Sequence, residues 1–414
     1  MSEAHGTRTS EVRADGGEWR RTARRVVLLA LGAFALGLDA YVVAGLLPSV
    51  AADLDVPQAT AGQMVTVFTL CYALAAPVFA TLLSGRPARA VLGLALAVFT
   101  VANGLSALAF DLPVLLLARA LAGIGAGVYS PIAAATAAAM AGPERRGRSL
   151  AIVMGGMSIG TVVGVPVGVQ LAEYVGWRGT LWLVTALGLL ALVGVVALLP
   201  RTEATPPPPL RERVRVLGDG RVAPIALVSF LGGVASLGLY TYLATFLSDA
   251  ADVANPVGHL WVWGVGGVLG SLLVGPLVDR TKRAYPVVAG LLAVLIAAHT
   301  ALPTLAPHVW AVMVPLVLWG AVGWALQVPQ QHRLIEARPD HAPVAISLNS
   351  SAVYLGSAAG SALGGAVLAA GLPAARLPYC TAGVAVLALL LHLTAAHWTG
   401  RGPARRASGT SRRR

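Results

Sequence analysis

Charged residues are scarce in this chain of 414 residues. Only 12% of the residues are Asp, Glu, Lys or Arg, whereas 57% are hydrophobic. A soluble domain usually contains about 25% charged residues. The composition therefore excludes a soluble multidomain enzyme and predicts a protein that crosses a membrane many times.

Cysteines and catalytic signatures are also scarce. The two cysteines, Cys71 and Cys380, each lie inside an apolar run, which leaves no disulfide framework and no metal-ligand spacing. The sequence contains no nucleotide-binding P-loop, no HExxH segment and no nucleophile elbow. We predict that the protein is not an enzyme and that it uses no cofactor. Without an ATP site, its energy must come from an ion gradient or from a substrate's own gradient.

Acidic residues are in deficit, with 18 acidic against 30 basic side chains and a net charge of +12. A basic protein can bind nucleic acid, but here the bases cluster in short segments beside apolar runs. That distribution follows the positive-inside rule for the cytoplasmic loops of membrane proteins. We therefore predict a lipid bilayer as the surrounding partner and no nucleic acid.

The apolar segments are long enough to cross a bilayer, which takes about 20 residues. The sequence contains twelve of them, at approximately 26–48, 60–83, 91–109, 113–139, 149–172, 179–199, 223–247, 258–278, 285–304, 308–328, 344–370 and 377–397. If both chain ends are cytoplasmic, nearly all loop bases fall inside and most loop acids fall outside. The prediction is an all-α membrane protein with twelve transmembrane helices.

A proline-rich polar stretch divides the twelve segments into two sets of six. The predicted parts are a cytoplasmic tail without stable structure, a six-helix bundle, a cytoplasmic linker, a second six-helix bundle and a basic cytoplasmic tail, at 1–25, 26–199, 200–222, 223–397 and 398–414.

The two halves contain an internal repeat. Loop arginines and span glycines recur at nearly equal offsets of 194 and 196 residues: Arg86 and Arg89 with Arg280 and Arg283, and Gly160 and Gly164 with Gly356 and Gly360. Halves repeated in the same orientation imply two pseudo-symmetric six-helix bundles with a substrate cavity near the midplane of the membrane.

Asp39 lies inside the first apolar segment. A charge at that depth costs at least about 2.5 kcal/mol on insertion scales. One hypothesis is a structural carboxylate that is hydrogen-bonded to a neighbouring helix. The other, which we favour, is a group that binds a proton or ion beside an aqueous cavity, because ionisable residues inside membranes usually have a function.

Arg119, in the fourth segment, is the one base that lies well inside a span. With a helix rise of 1.5 Å per residue, its depth differs from that of Asp39 by about 5 Å, within reach of an arginine side chain. Pairing offsets part of the cost of burying the two charges. We predict that the two share one polar site, directly or through water. The alternative is that Arg119 contacts only backbone carbonyls.

Glycine recurs every fourth residue along one face of the fifth segment, at Gly156, Gly160, Gly164 and Gly168, with Pro166 among them. Such a face lets helices approach closely in lipid, and an internal proline bends the helix. The pattern indicates close packing. The functional hypothesis is that the two halves meet and move along this face.

Several other polar or aromatic residues are candidates for lining a substrate cavity. They are Tyr41, Asn103, Thr161, Tyr240, Tyr242, Trp324, Gln327, Asn349 and Tyr354. Each of them alone is better explained by a helix–helix hydrogen bond. An apolar pocket with a few polar groups would combine Tyr240, Tyr242, Trp319 and Trp324.

Two further features lie at segment ends. Trp261 and Trp263 are predicted to anchor the eighth segment at the membrane interface. The bases that follow the second and eighth segments anchor the topology in the simplest interpretation; the alternative is a gating role for Asp279 with Arg280.

These segments resemble the major facilitator superfamily over nearly all of 26–397. The resemblance is greatest to its twelve-span drug:H+ antiporter branch of arabinose-efflux-like and chloramphenicol-efflux-like permeases. It is carried by GLDAYVVAGLLPSVAADL (37–54), LLSGRPARAVLGLALAVFTVANGLSAL (82–108), LLLARALAGIGAG (115–127) and GTVVGVPVGVQLAEYVGWRGTLW (160–182). The last stretch looks like the antiporter motif of this branch.

The resemblance implies specific roles. Arg119, followed by Gly123, matches the basic residue that the family implicates in proton transfer. The family's inward gate would be formed here by Arg86, Arg89, Gly275, Asp279, Arg280 and Arg283. Two positions depart from the family pattern, because Gly85 stands where the first loop motif has an acid and Asp39 stands where such permeases often differ.

We predict a secondary active transporter that exports a small amphipathic drug, antibiotic or metabolite in exchange for protons by alternating access. It would act as a monomer in a bacterial inner membrane, with both termini cytoplasmic. One alternative is proton-coupled uptake of a sugar or metabolite. A remote alternative is a non-transporting receptor or scaffold, which would require a folded signalling domain that the short tails and linker do not provide.

Overall fold

A computed structural model describes residues 3–83, 86–200, 211, 215–216, 218–253, 255–281 and 283–399. Side chains are described for these residues except at 3–18, 20, 76–77, 80–82, 143, 342–343 and 396–399. Nearly all of the described chain is helical, which confirms the predicted all-α class. The chain forms two compact units, Met1–Pro209 and Leu210–Arg414.

The N-terminal unit contains six α-helices and one π-helix among its described residues. These are α1 (Glu3–Asp53), α2 (Gln58–Ala61), α3 (Gln63–Leu82), α4 (Ala88–Ala107), α5 (Leu112–Ile159), a π-helix (Gly160–Gly164) and α6 (Val165–Leu198).

The C-terminal unit contains eight α-helices and two short 3₁₀ turns in the part of the chain that the structure describes. These are α7 (Val222–Thr241), α8 (Leu243–Ala251), α9 (Val257–Thr281), α10 (Ala284–Leu305), α11 (Met313–Ala325), α12 (Gln327–Ala337), Pro339–His341, α13 (Ala342–Ala369), Ala374–Arg376 and α14 (Leu377–Thr399).

Two glycines break the long helices α5 and α6 into separate spans. Gly142 within α5 has φ 70° and Gly176 within α6 has φ 72°. This left-handed backbone region is readily available only to glycine, because a Cβ would clash there. Gly142 therefore separates the fourth and fifth predicted spans, and Gly176 separates the fifth and sixth.

Nine of the described helices are long and apolar enough to cross a membrane, by length and composition. One of them, Glu144–Leu198, contains two predicted spans with the Gly176 break between them. The second predicted span corresponds to α3, and the tenth corresponds mainly to α11. The helices are therefore compatible with the predicted count of twelve.

The expectation for the N-terminal tail is wrong in one respect. We predicted no stable structure before residue 26, but α1 begins at Glu3 and continues into the first span. The segment contains no proline before Pro48, and its alanines, glutamates and arginines are good helix formers. An apolar helix that is already formed can extend outward through such residues.

The glycine face of the fifth span packs on α1. A Cβ added at Gly156 would lie 2.2 Å from the backbone oxygen of Ala30, and one added at Gly160 would lie 2.2 Å from that of Phe34. Gly164 and Gly168 continue this contact against side chains of α1. These glycines therefore pack on α1 within their own unit. That the two halves meet and move along this face stays a prediction.

The same crossing recurs in the C-terminal unit. A Cβ at Gly356 of α13 would lie 2.1 Å from the backbone oxygen of Phe230 in α7. Gly160 and Gly356, like Phe34 and Phe230, are 196 residues apart. The internal repeat that the sequence indicates is therefore present as a repeated helix–helix contact.

Asp219 links the start of α7 to the end of α12 in the C-terminal unit. Its carboxylate accepts a hydrogen bond of 2.8 Å from the backbone nitrogen of Arg221, just before α7, and forms an ion pair with Arg338, just after α12. The Arg221 backbone hydrogen bond, together with Arg338, lowers the pKa of Asp219 below its ordinary value of 3.8, although partial burial opposes the shift.

We expect Gly156→Ala to destabilise the protein, because the new methyl group must push α1 away from α5. The expected cost is about 1–3 kcal/mol, read as a lowered unfolding temperature in detergent micelles. Gly155→Ala is the matched control, since a Cβ there meets no atom within 4 Å. An equal loss in both variants would contradict the packing argument.

We expect the Asp219 ion pair to make stability depend on pH. Because the folded-state pKa is lowered, the pair stabilises the fold at pH values above 3.8. That stabilisation is lost as the pH falls through the folded-state value. Asp219→Asn should therefore lower the unfolding temperature near neutral pH and converge with the wild type in acid. Two unfolding curves that stay equally separated at every pH would argue against this account.

Candidate functional site

A buried ion pair lies in the middle of the N-terminal unit. Asp39 of α1 is 0% exposed and Arg119 of α5 is 1% exposed. The Nη1 atom of Arg119 donates a hydrogen bond of 2.7 Å to Oδ1 of Asp39. The two residues that the depth argument brought together are therefore in direct contact, without a bridging water between these two atoms.

Asn103 of α4 completes a polar triad. Its Nδ2 lies 3.4 Å from Oδ2 of Asp39 and donates a second hydrogen bond of 3.1 Å to the backbone oxygen of Phe99. Its Oδ1 accepts from Nη1 of Arg119 at 3.3 Å. The amide thus contacts both charges, and the triad joins three helices.

Phe68 of α3 covers the guanidinium group. Cζ of Arg119 lies 4.3 Å from the centre of the Phe68 ring, a cation–π distance. Gly123, one turn after Arg119, makes this approach possible, since a Cβ there would lie 2.3 Å from the backbone oxygen of Phe68. Sequence reasoning missed Phe68, because the spacing of apolar residues does not show which of them faces a cation.

The two charges of the triad balance each other. The carboxylate is stabilised by Arg119 and Asn103, and the cation is balanced only while Asp39 is ionised. Within the described residues, Nε of Arg119 has no hydrogen-bond partner. Without the charge of Asp39, the described contacts of Arg119 would be the Asn103 oxygen and the Phe68 ring.

The C-terminal unit does not repeat this triad. At the offset of 196, the three positions correspond to Ala235, His299 and Pro315. An aromatic cluster occurs instead: the Trp263 ring lies 4.3 Å from Tyr240 and 6.0 Å from Trp319. His299 contacts Trp319 edge-on at 5.2 Å. The two units thus share a scaffold but differ in polar chemistry.

The cluster shows that the prediction for Trp263 is wrong, and it contains only some of the residues of the predicted aromatic pocket. Trp263 is buried among aromatic rings and is not an interface anchor. The rings of Tyr240 and Trp319 lie 6.5 Å apart within this cluster, and a substrate pocket formed by them stays a prediction. Tyr242 lies outside this cluster and donates a hydrogen bond of 2.8 Å to the backbone oxygen of Ser361. Trp324 packs beside Gly267.

The remaining cavity candidates make helix–helix contacts or lie half-buried. Nδ2 of Asn349 donates to Oε1 of Gln327 at 2.8 Å, and the hydroxyl of Thr161 donates to the backbone oxygen of Gly37 in α1 at 3.4 Å. Tyr41 and Tyr354 are half-buried. A role of these residues in lining a substrate cavity stays a prediction.

The gate candidates are not assembled into a described cluster. Arg86, Asp279, Arg280 and Arg283 are exposed, and Arg89 and Gly275 are half-buried. Gly85 lies outside the described residues. The gating role stays a prediction. Among the described residues, no group of three His, Cys, Asp or Glu side chains is placed to hold a metal ion.

We expect Arg119→Gln to destabilise the protein by about 3–5 kcal/mol, because it leaves the Asp39 charge buried without a counter-ion. Adding Asp39→Asn should restore most of the lost stability, since the double variant contains no buried charge. The measurement is the unfolding temperature of the two single variants and the double variant in micelles. A double variant as unstable as the sum of the singles would show that the charges do not interact.

Comparisons with known proteins agree with this architecture. Residues 29–361 match the profile of the Major Facilitator Superfamily. The chain is 32% identical over 369 residues to the inner membrane transport protein YdhP of Escherichia coli (strain K12), which covers 88% of this chain and 94% of that protein. It is also 32% identical over 344 residues to a chloramphenicol resistance protein of Streptomyces lividans, covering 80% of this chain and 86% of that one.

A solved structure gives the same fold. The nucleoside transporter NupG aligns with a TM-score of 0.72 over 90% of this chain and 99% of that chain, at 12% sequence identity. The apolar helices, the repeated glycine crossings and the length of the sequence match lead to one assignment. The chain belongs to the Major Facilitator Superfamily, a family of membrane transporters and not of enzymes.

Proposed function

We propose that this protein exports a small amphipathic molecule in exchange for protons, and that Asp39 is the group that binds the transported proton. The observation that carries the proposal is the fully buried contact of Asp39 with Arg119 and Asn103. One relative, the Streptomyces lividans protein, is named for chloramphenicol resistance, which supports export and makes chloramphenicol the first probe.

A buried carboxylate is costly in either of two ways. When ionised it needs a counter-charge, which Arg119 supplies at 2.7 Å. When protonated it needs no counter-charge, but Arg119 is then a buried cation without a counter-ion. The relative free energies of these two arrangements change with proton binding, so proton occupancy and helix arrangement are linked.

The transport cycle follows from this linkage. Proton binding at Asp39 releases Arg119, and the conformation that accommodates a free guanidinium becomes more populated. Substrate binding favours the conformation in which Asp39 is ionised and paired. A ligand shifts such an equilibrium only through its different affinities for the two states, so proton and substrate compete. The result is exchange across the membrane by alternating access.

Asn103 would contact Arg119 in both states. Its amide donates toward Asp39 and accepts from Arg119, so one side chain contacts both partners of the ion pair. When the carboxylate becomes neutral, the amide oxygen still accepts from the guanidinium. Arg119 is therefore never without a polar partner in the released state, which lowers the barrier between the two arrangements.

We expect Asp39→Asn to abolish proton-driven transport while leaving substrate exchange without a gradient intact. The protein is reconstituted in liposomes with radiolabelled chloramphenicol or another substrate found in a growth-inhibition panel. A gradient of about one pH unit can sustain an about tenfold substrate ratio for each proton exchanged. The wild type should build such a ratio, and the variant should not.

Asp53→Asn is the matched control, because Asp53 lies on the same helix but is partly exposed at its end. It should keep gradient-driven transport. If Asp39→Asn builds the same ratio as the wild type, Asp39 does not bind the transported proton. The sign of the ratio distinguishes export from uptake, since a symporter accumulates substrate on the side to which protons flow.

A further inference from the structure

A chain of polar side chains crosses the C-terminal unit, apart from the site described above. Ser229 of α7 donates to Oδ1 of Asn349 at 2.6 Å, and Nε2 of Gln330 donates to Ser229 at 3.1 Å. Nη1 of Arg333 then donates to Oε1 of Gln330 and to Nδ1 of His392, each at 3.1 Å. The transport mechanism above uses none of these groups.

The donors in this chain determine the protonation state of His392. A guanidinium group has only donors, so Nδ1 of His392 must accept from Arg333 with its lone pair. Nε2 therefore carries the ring proton and donates to the backbone oxygen of Tyr285 at 3.0 Å. The imidazole is neutral in this conformation, in one defined tautomer.

The imidazole connects three helices. His392 of α14 is 0% exposed, and its ring stacks on the Tyr285 ring of α10 at 4.2 Å with an angle of 22° between the planes. The cation of Arg333, on α12, lies 5.6 Å from the centre of the same tyrosine ring. A change of charge on this one ring is therefore felt by α10, α12 and α14.

Few described titratable or charged groups surround the imidazole. Arg333 faces it from α12 and Tyr285 from α10. Glu336, farther along α12, is exposed and lies 3.5 Å from the exposed ring of His332. The one titratable side chain of α7, Tyr240, belongs to the aromatic cluster with Trp263. No described carboxylate contacts His392.

We propose that His392 is a second proton-binding site, in which a proton displaces Arg333. A proton from water forms an N–H bond at Nδ1, and the hydrogen bond from Arg333 to that atom breaks. The imidazolium keeps its Nε2 bond to Tyr285, and Arg333 keeps its bond to Gln330. Two adjacent cations then repel each other, so α12 separates from α14 where the neutral ring had joined them.

The site lies at the end of the unit that the distribution of loop bases predicts to be cytoplasmic, since Tyr285 is the second residue of α10. Acid in that compartment would thus loosen the end of the C-terminal unit without any change at Asp39. The polar chain continues from Gln330 through Ser229 to Asn349, so the loosening reaches α7 and α13. This inference does not depend on the proposed direction of transport or its substrate.

The test is hydrogen–deuterium exchange of the full-length protein in micelles at about pH 7.5 and about pH 4, a range wide enough to protonate an imidazole that is buried beside a cation. His392→Gln is the comparison variant, because its amide keeps one acceptor and one donor but cannot be protonated. In acid, peptides of α12 and α14 should exchange about tenfold faster in the wild type than in the variant, as expected for the loss of one charge-assisted hydrogen bond. At the higher pH the two proteins should match.

His332→Gln is the matched control, since His332 precedes Arg333 on the same helix but is exposed. It should behave as the wild type at both pH values. The proposal would be overturned if wild type and His392→Gln exchanged equally in acid. It would also be overturned if His332→Gln abolished the faster acid exchange of the α12 and α14 peptides.

A second measurement avoids dependence on a variant that folds poorly. In wild-type protein labelled with ¹⁵N at histidine, one ring should show a bare Nδ1 and a protonated Nε2 at the higher pH, and should gain the Nδ1 proton on acidification. His392→Gln is needed only to assign that signal, and Arg333→Lys, which should shift the same signal, assigns it independently. If no histidine has this tautomer, or if it fails to titrate, His392 is not a proton-binding site.

Discussion

A charge inside an apolar helical bundle must have a counter-charge or be neutralised, an acid by gaining a proton and a base by losing one, and the N-terminal unit is arranged around this constraint. Asp39 and Arg119 come from different helices and meet only because α1, α4 and α5 pack closely enough to bring side chains to one point. The close packing depends on glycines: Gly123 lets α5 approach Phe68, and Gly156 and Gly160 let α1 approach the fifth span. The glycines thus determine where the two charges meet, because they set how closely the helices approach.

The two units show which part of the repeat concerns architecture and which part concerns chemistry. The crossing of Phe34 with Gly160 recurs as that of Phe230 with Gly356, because both units must pack helices in the same way. The polar groups do not recur. The C-terminal unit has aromatic rings around Trp319 and a polar chain of two amides and one hydroxyl that reaches His392 through the single cation Arg333. A repeated scaffold therefore carries an ionic site in one half and a mostly uncharged network in the other.

Sequence reasoning reached the helices and the first site because both depend on local or one-dimensional properties. Apolar length defines spans, and the depth of Asp39 and Arg119 follows from counting residues along two helices. Sequence reasoning failed where a residue contacts another helix, because the sequence does not show how that helix is rotated about its axis. The ring over Arg119, the burial of Trp263, the identity of the helix beside Gly156 and the contact of Arg333 with His392 all depend on tertiary packing. The helical start at Glu3 was missed for another reason, since polarity was taken as a sign of disorder although the residues favour helix.

The glycine crossings also limit how the N-terminal unit can deform. At Gly156 and Gly160 the backbone of one helix touches the backbone of the other, and backbone atoms have no alternative rotamers through which the helices could slip past each other. We therefore expect helix α1, with Asp39 on it, and the fifth span to move together as one rigid body. The π-helix at Gly160–Gly164 begins at the crossing itself, so the regular hydrogen-bond spacing of the fifth span changes at the point where it touches α1.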